Sequence, residues 1–292
     1  MESMNRREFA GKVLAAGSTI LGAVNLLGME GWAAPASGKG KKVPVGLQLY
    51  TVRDLAGKDF VGTLKKVAEI GYDAVEFASY GGMASVDLKK LLDELKLRVA
   101  GSHEGIDRLQ KELEKTIEYN REIGNRFVIC PVMPPQWSQR GSAGYKEFAQ
   151  LLEKAGEKIQ QAGMQLCYHN HDFEFKQEEG KYLLEFLLEA CKADLVKMEV
   201  DAYWVKKAGV DPVEFFQKHT GRCRLIHMKD MTADAKQDFA PVGTGSMDFK
   251  NLIPAARKAG VEWFIVEQDK ANQPVLEAIT ISLKNMRELL KG

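Results

Sequence analysis

At 292 residues, with 41 Lys and Arg against 40 Asp and Glu, 45% hydrophobic and 28% charged, the chain has the make-up of one or two ordinary globular domains. That excludes a disordered, collagenous or small disulfide-stapled protein. A formal charge of +1 gives no broad basic footprint for a phosphate backbone, so nucleic acid is not an expected partner.

The first 36 residues read differently from the rest. Arg6 and Arg7 precede Phe9 and Lys12, an apolar and small-residue run covers 13–27, and Ala34-Pro35-Ala36 has the A-x-A form of a cleavage site. The expectation is an export signal over 1–36 and a periplasmic mature domain over 37–292. An uncleaved anchor is the alternative, disfavoured because a membrane span needs about 20 apolar residues and this run is rich in Gly, Ser and Ala. Asn5-Arg6-Arg7-Glu8-Phe9 resembles the twin-arginine export signal, although Ala10 stands where a larger apolar residue is usual. The resemblance implies export of a folded chain after metal loading. Cys130, Cys167, Cys191 and Cys223 form no C-x-x-C pair and fall mostly in or beside apolar runs, so buried free thiols are expected.

From residue 41 onward, short apolar runs alternate with longer helical patterns. Strands are predicted over 45–50, 74–78, 98–102, 126–131, 164–169, 195–201, 224–228 and 263–267. Between and after them, helices are predicted over 60–69, 87–96, 106–123, 145–162, 182–192, 212–218, 249–258 and 274–290. Asp211-Pro212, Asp248 and Asn272 carry helix-start signals, and Gly71, Gly124, Gly163, Gly221 and Gly260 stand where helices stop. Eight β-then-α units in about 250 residues predict an all-parallel (β/α)8 TIM barrel. A doubly wound sheet would place a glycine fingerprint after the first strand, where the chain reads Leu49-Tyr50-Thr51-Val52-Arg53-Asp54. Gly243-x-Gly245 comes late and is weak evidence for phosphate.

In such a barrel, chemistry sits at the C-terminal strand ends. Four of the five histidines fall there: His103 after the third strand, His169 and His171 at the fifth, His227 on the seventh. The fifth, His219, ends a helix, where a cation is favoured and no function need follow. Carboxylates gather similarly, with Glu76 on the second strand, Glu174 past the fifth, Asp201 on the sixth and Glu267 on the eighth. Converging buried carboxylates and imidazoles need a compensating cation. Glu174, Asp201, His227 and Glu267 form a donor set for one divalent metal, Mn²⁺ or Mg²⁺ first, with Co²⁺ and Zn²⁺ acceptable.

The stretches 46–53 (GLQLYTVR), 167–175 (CYHNHDFEF), 199–204 (EVDAYW), 227–230 (HMKD) and 242–249 (VGTGSMDF) resemble the xylose-isomerase-like TIM-barrel superfamily of sugar isomerases and epimerases. The resemblance runs over essentially the whole mature chain. It implies one divalent metal held by Glu, Asp, His and Glu from the fifth to eighth strands. Asp201, His227 and Glu267 match those positions. Many relatives carry Glu where this chain has His169, and relatives with Tyr-His-Asn-His keep a Glu matching Glu174, so Glu174 is the expected ligand and His169 the alternative.

The expected reaction is proton abstraction beside a carbonyl through a metal-stabilised enediolate, giving isomerisation or epimerisation of a sugar or keto-sugar. Glu174 and Glu267 are the expected acid and base, with His171 or His169 next. Lys229 shares the inward parity of His227 and either polarises a substrate oxygen or pairs with Asp230 or Glu199; Glu199, one layer deeper than Asp201, reads as a structural partner of Lys197 or Lys229. Substrate contacts are expected from His103, Glu76 and Trp204, whose ring either stacks on a sugar or packs against Trp137. The alternative enzyme is a lyase or dehydratase that eliminates a β-leaving group from a 3-keto-glycoside or keto-polyol. A repair endonuclease expects more His ligands and a basic cleft, and a non-catalytic sugar-binding domain expects binding without turnover. The scaffold is compatible with a homo-oligomer, and no membrane anchor is expected after cleavage.

Overall fold

The computed structural model describes residues 43–291. The expected export signal lies outside the described residues. Eight parallel strands, β1 (Val45–Gln48), β2 (Ala74–Phe77), β3 (Arg98–His103), β4 (Phe127–Cys130), β5 (Gln165–His169), β6 (Val196–Asp201), β7 (Cys223–Met228) and β8 (Trp263–Val266), pair in sequence order, and β8 pairs back onto β1 to close the barrel. The principal helices are α1 (Phe60–Ile70), α2 (Ser85–Leu95), α3 (Leu113–Glu122), α4 (Gly141–Gln161), α5 (Leu183–Glu189), α6 (Pro212–Lys218), α7 (Phe249–Ala259) and α8 (Val275–Leu289). Each barrel strand is followed by one of them, as predicted.

The strands are apolar along their length because both faces are covered. Ala74, Ala100, Phe127, Ile129, Cys167, Leu225, Trp263 and Ile265 fill the barrel interior. The alternate positions, such as Val45, Leu47, Val75 and Val266, join the larger core beneath the helices. α1 buries one stripe only, turning Phe60, Thr63, Leu64 and Val67 inward at the three-and-four spacing of an amphipathic helix.

The start and stop signals act mostly as expected. Asp211 accepts the N–H groups of Val213 and Glu214 ahead of Pro212, and Asp248 accepts from Asn251. Gly71 ends α1 in the left-handed region at φ 104°, which a side chain would resist. Asn272 does not cap α8; Pro274 occupies the cap position, with no side-chain hydrogen bond. The single helix expected over 106–123 breaks at Glu112 (φ −133°) into Ile106–Lys111 and α3. His219 ends α6 against the Phe215 ring, and burial lowers its pKa to about 4, so it stands there neutral rather than as a cation. The four cysteines are buried and free. Among the described residues, no helix is long and apolar enough to cross a membrane.

Strand register brings the polar positions together. Asp201 on β6 lies beside His227 on β7, and His169 on β5 beside Glu199 on β6. With side chains alternating along each strand, Glu199 and Asp201 both face the interior one layer apart.

Candidate active site

The C-terminal mouth holds two storeys of polar side chains with imidazoles between them. In the upper storey, Asp201 Oδ2, His227 Nδ1 and Glu267 Oε2 converge, all three residues buried. His227 Nδ1 is 2.7 Å from Glu267 Oε2 and 3.9 Å from Asp201 Oδ2, and His169 Nε2 is 3.7 Å from Asp201 Oδ2. Lys229 Nζ stands 2.9 Å from Asp201 Oδ2, 2.7 Å from Glu267 Oε2 and 3.1 Å from Asp269 Oδ1. In the lower storey, Glu199 Oε2 lies 2.9 Å from His103 Nε2, 3.0 Å from His169 Nδ1 and 3.2 Å from His227 Nε2. Glu76 Oε2 is 2.6 Å from His227 Nε2 and accepts a 2.6 Å hydrogen bond from Gln48 Nε2.

Asp201 serves two purposes. Its Oδ1 caps the short helix Ala202–Lys207 by accepting from the Tyr203 and Trp204 N–H groups, while Oδ2 turns into the mouth. Asp201 Oδ2, His227 Nδ1 and Glu267 Oε2 have ion-pair neighbours yet no partner in hydrogen-bond geometry. Buried polar atoms left so are costly unless something else contacts them. A hard-oxygen and imidazole donor set of this kind suits a divalent cation, so these residues fit the ion that the sequence implies.

The electrostatics follow from burial and close neighbours. Burial lifts Asp201 to about 6, against the pull of Lys229 and His227. Burial works the same way on Glu267, but Lys229 and His227 outweigh it and hold this carboxyl well below the usual range. His227 shows the reverse: burial disfavours its cation, yet Glu199, Glu267 and Glu76 raise it well above an ordinary imidazole. His103 is raised to about 10 by Glu76 and Glu199 despite burial. Lys229 stays charged, held by Asp201, Glu267 and Asp269. His169 is driven down by burial and by His227, His171 and His103.

Glu174 departs from the expectation. It sits in the 3-10 turn Phe173–Phe175, where Oε1 accepts from the Tyr168 hydroxyl at 2.6 Å and Oε2 from the His171 N–H at 2.9 Å. Tyr168 belongs to the core beneath the helices, so Glu174 faces away from the two donor groups at the mouth. His169 is the fifth-strand residue that reaches Asp201. Glu76 is fully buried under His227 and presents nothing to the mouth, while His103 keeps slight exposure above Glu199. Lys229 pairs with neither Asp230 nor Glu199: Asp230 is saturated by the N–H groups of Met231, Gly243, Gly245 and Met247. Glu199 meets three imidazoles, while Lys197 donates to Gly221 O. Asp269 was not among the expected residues.

An aromatic wall stands beside the mouth. Trp204 lies 5.7 Å from the His171 ring and 5.9 Å from Phe239, with Lys229 Nζ 5.7 Å from its centroid. Trp137 is not its neighbour and packs on Phe148. His171 is stacked on Phe173, and its Nδ1 has no partner; burial and Lys229 lower its pKa to about 4, leaving a neutral ring.

A family model described as xylose isomerase-like TIM barrel matches residues 64–289. An inosose dehydratase of Geobacillus kaustophilus (strain HTA426) is 24% identical over 245 residues, 71% of this chain and 79% of that protein. One from Geobacillus thermodenitrificans (strain NG80-2) is 26% identical over 264 residues, covering 78% and 88%. The crystal structure of a sugar phosphate isomerase/epimerase from Parabacteroides distasonis ATCC 8503 is similar at a TM-score of 0.73 and 25% identity, over 86% of this chain and 96% of that one. With the closed eightfold barrel and the donor cluster at its mouth, the match over most of the chain is decisive: this protein belongs to the xylose isomerase-like TIM barrel family.

Proposed function

We propose that the chain is a divalent-metal-dependent enzyme that removes a proton beside the carbonyl of a small polyhydroxylated ketone, and that the outcome is loss of a β-leaving group, as in a dehydratase or lyase. The observation that carries the metal-dependent chemistry is the convergence of the buried Asp201 Oδ2, His227 Nδ1 and Glu267 Oε2. These three would hold the ion, with His169 Nε2, 3.7 Å from Asp201 Oδ2, as a further donor, Mn²⁺ being favoured by the carboxylate share. When bound, the ion supplies Lewis-acid stabilisation to negative charge developing on a carbonyl oxygen.

The remaining chemistry belongs to the chain. His171, neutral and with Nδ1 buried without a partner, accepts the proton. Lys229, a buried ammonium, donates to a substrate oxygen and so favours departure of a hydroxyl or alkoxyl group. Trp204, Phe173 and Phe239 keep water from the reacting carbons.

Elimination is favoured over epimerisation because Glu174 is withdrawn behind the wall. Inverting a stereocentre needs proton removal on one face and delivery on the other, and the second carboxylate expected for that is spent on Tyr168 and the His171 N–H. The relatives named inosose dehydratase support the same reading. Epimerisation is the second reading, favoured by the similarity to the sugar phosphate isomerase/epimerase.

Incubation with a panel of keto-polyols and 3-keto-glycosides, Mn²⁺ present, in deuterated water tests this. An unsaturated or aglycone-free product is expected. An epimer pair alone would transfer the assignment to the second reading, and retention of bound metal in both Asp201→Ala and His227→Ala would overturn the ligand set.

A further inference from the structure

We infer that Glu76 and Glu199 are positioning residues for the cation: from below, they fix the His227 and His169 imidazoles so that each ring turns its lone pair up to the ion. The inference rests on the metal-dependent reading above. Each of these two rings lies between the storeys. His227 directs Nε2 down, 2.6 Å from Glu76 Oε2 and 3.2 Å from Glu199 Oε2, and Nδ1 up, 2.7 Å from Glu267 Oε2. His169 is mounted the other way about, with Nδ1 down, 3.0 Å from Glu199 Oε2, and Nε2 up, 3.7 Å from Asp201 Oδ2.

A neutral imidazole carries one N–H and one lone pair. A carboxylate can only accept. With Asp201 and Glu267 engaged by the ion, the lower carboxylates are the acceptors left to the rings, and the nitrogen facing them would keep the proton. The lower storey therefore selects opposite tautomers in the two rings: Nε2–H for His227 and Nδ1–H for His169. The first choice turns a lone pair into the Asp201, His227 and Glu267 group, and the second turns one toward Asp201 Oδ2. Carboxylate–histidine–metal arrangements of this kind set ring orientation and raise ligand basicity.

The lower storey is built for these contacts. Gln48 Nε2 holds Glu76 in place, and Gly101 leaves it room: a Cβ at 101 would come within 2.8 Å of Glu76 Oε1 and 2.6 Å of Ile129 Cδ1. His103 Nε2 stands 2.9 Å from Glu199 Oε2 and 3.4 Å from Glu76 Oε2, a third imidazole that offsets the two charges without reaching the upper storey. Two fully buried carboxylates are poor stability devices, because apolar groups of similar volume do as well or better. Their service to the rings accounts for them.

His103, His169, Glu199 and His227 also lie close enough to be read as a second cation site. Tautomer chemistry argues against that. His169 and His227 cannot offer lone pairs downward while ligating upward unless each gives up its last ring proton.

The test is calorimetric titration of metal-free full-length protein with Mn²⁺, for the natural chain, Glu76→Gln, Glu199→Gln and the shortened carboxylate Glu199→Asp. The natural chain is expected to bind one equivalent. Both amide variants should also bind one equivalent, with affinity lower by about 10–100-fold, and Glu199→Asp should fall between. Unchanged affinity in the folded amide variants overturns the inference, as does uptake of two equivalents with one lost in Glu199→Gln. If Glu199→Gln does not fold, unchanged affinity in Glu199→Asp together with Glu76→Gln overturns it equally. A natural chain that binds no Mn²⁺ brings down the metal-dependent reading itself, and the inference with it.

Discussion

The Tyr168 hydroxyl donates a 2.6 Å hydrogen bond to Glu174 Oε1, tying the loop after β5 to the core beneath the helices. Burial raises the Glu174 carboxyl to about 7 from an ordinary 4.5, despite the bonds from Tyr168 and the His171 N–H. A carboxyl raised in the folded state stabilises the fold while protonated. That contribution is complete below pH 4.5 and is lost as pH rises to 7, a swing of about 3 kcal/mol. Glu174→Gln keeps a neutral amide and should abolish the swing. Urea unfolding from pH 4.5 to 8 should find the natural chain losing ground to the variant as pH rises; a constant difference between them would refute the assignment.

Asp230 organises the loop after β7 by accepting four backbone N–H groups, Met231 and Met247 on Oδ1, Gly243 and Gly245 on Oδ2. Asn at 230 keeps one accepting oxygen, so two donors lose their partner and face an amide NH2 instead. Each buried donor left unpaired costs about 1–3 kcal/mol. Gly245→Ala meets the same loop sterically, since a Cβ there would stand 2.3 Å from Met231 O and 2.5 Å from Asp230 Oδ1. Both variants should melt below the natural chain and lower kcat through the displaced Lys229. Unaltered melting of Asp230→Asn would show that the loop is held by other contacts.

The sequence displays Asp201, His227 and Glu267 because strand parity and strand ends suffice to aim them at one mouth. Glu174 misleads because a 3-10 turn intervenes after β5, and parity does not carry through a turn. Glu199 has visible inward parity, but its three imidazole partners depend on barrel closure and on the register shift between Met198 and Glu199. Asp269 lies beyond β8; the one available signal was its two-residue spacing from Glu267. The helix over 106–123 looked continuous because its apolar positions carry on across Glu112, where only the backbone breaks.

His171 belongs to neither donor group, although its ring lies 5.0 Å from that of His169, so its loss should separate chemistry from metal retention. His171→Ala is expected to lower kcat by about 10²–10⁴-fold while Mn²⁺ content and the melting profile stay those of the natural chain. Loss of metal along with activity would instead make the ring part of the ion's support. A kcat within threefold of the natural value would pass the proton-accepting role to another group.

Lys229 places one ammonium against Asp201, Glu267 and Asp269, two of which are proposed to ligate the ion. The lysine and the cation therefore offset the same negative charge, and removing the lysine should make the fold lean on the metal. Lys229→Met strands buried carboxylates, which typically costs about 3–5 kcal/mol. In chelator, the variant should melt well below the natural chain. Added Mn²⁺ should return much of that difference, because a ligand that binds only the folded state stabilises it in proportion to RT ln(1 + [L]/Kd), and the freed carboxylates hold the ion more tightly. The decisive quantity is the rise in melting temperature on adding Mn²⁺: larger in Lys229→Met than in the natural chain if the two cations share one pair of carboxylates, equal or smaller if Lys229 serves a charge balance separate from the metal.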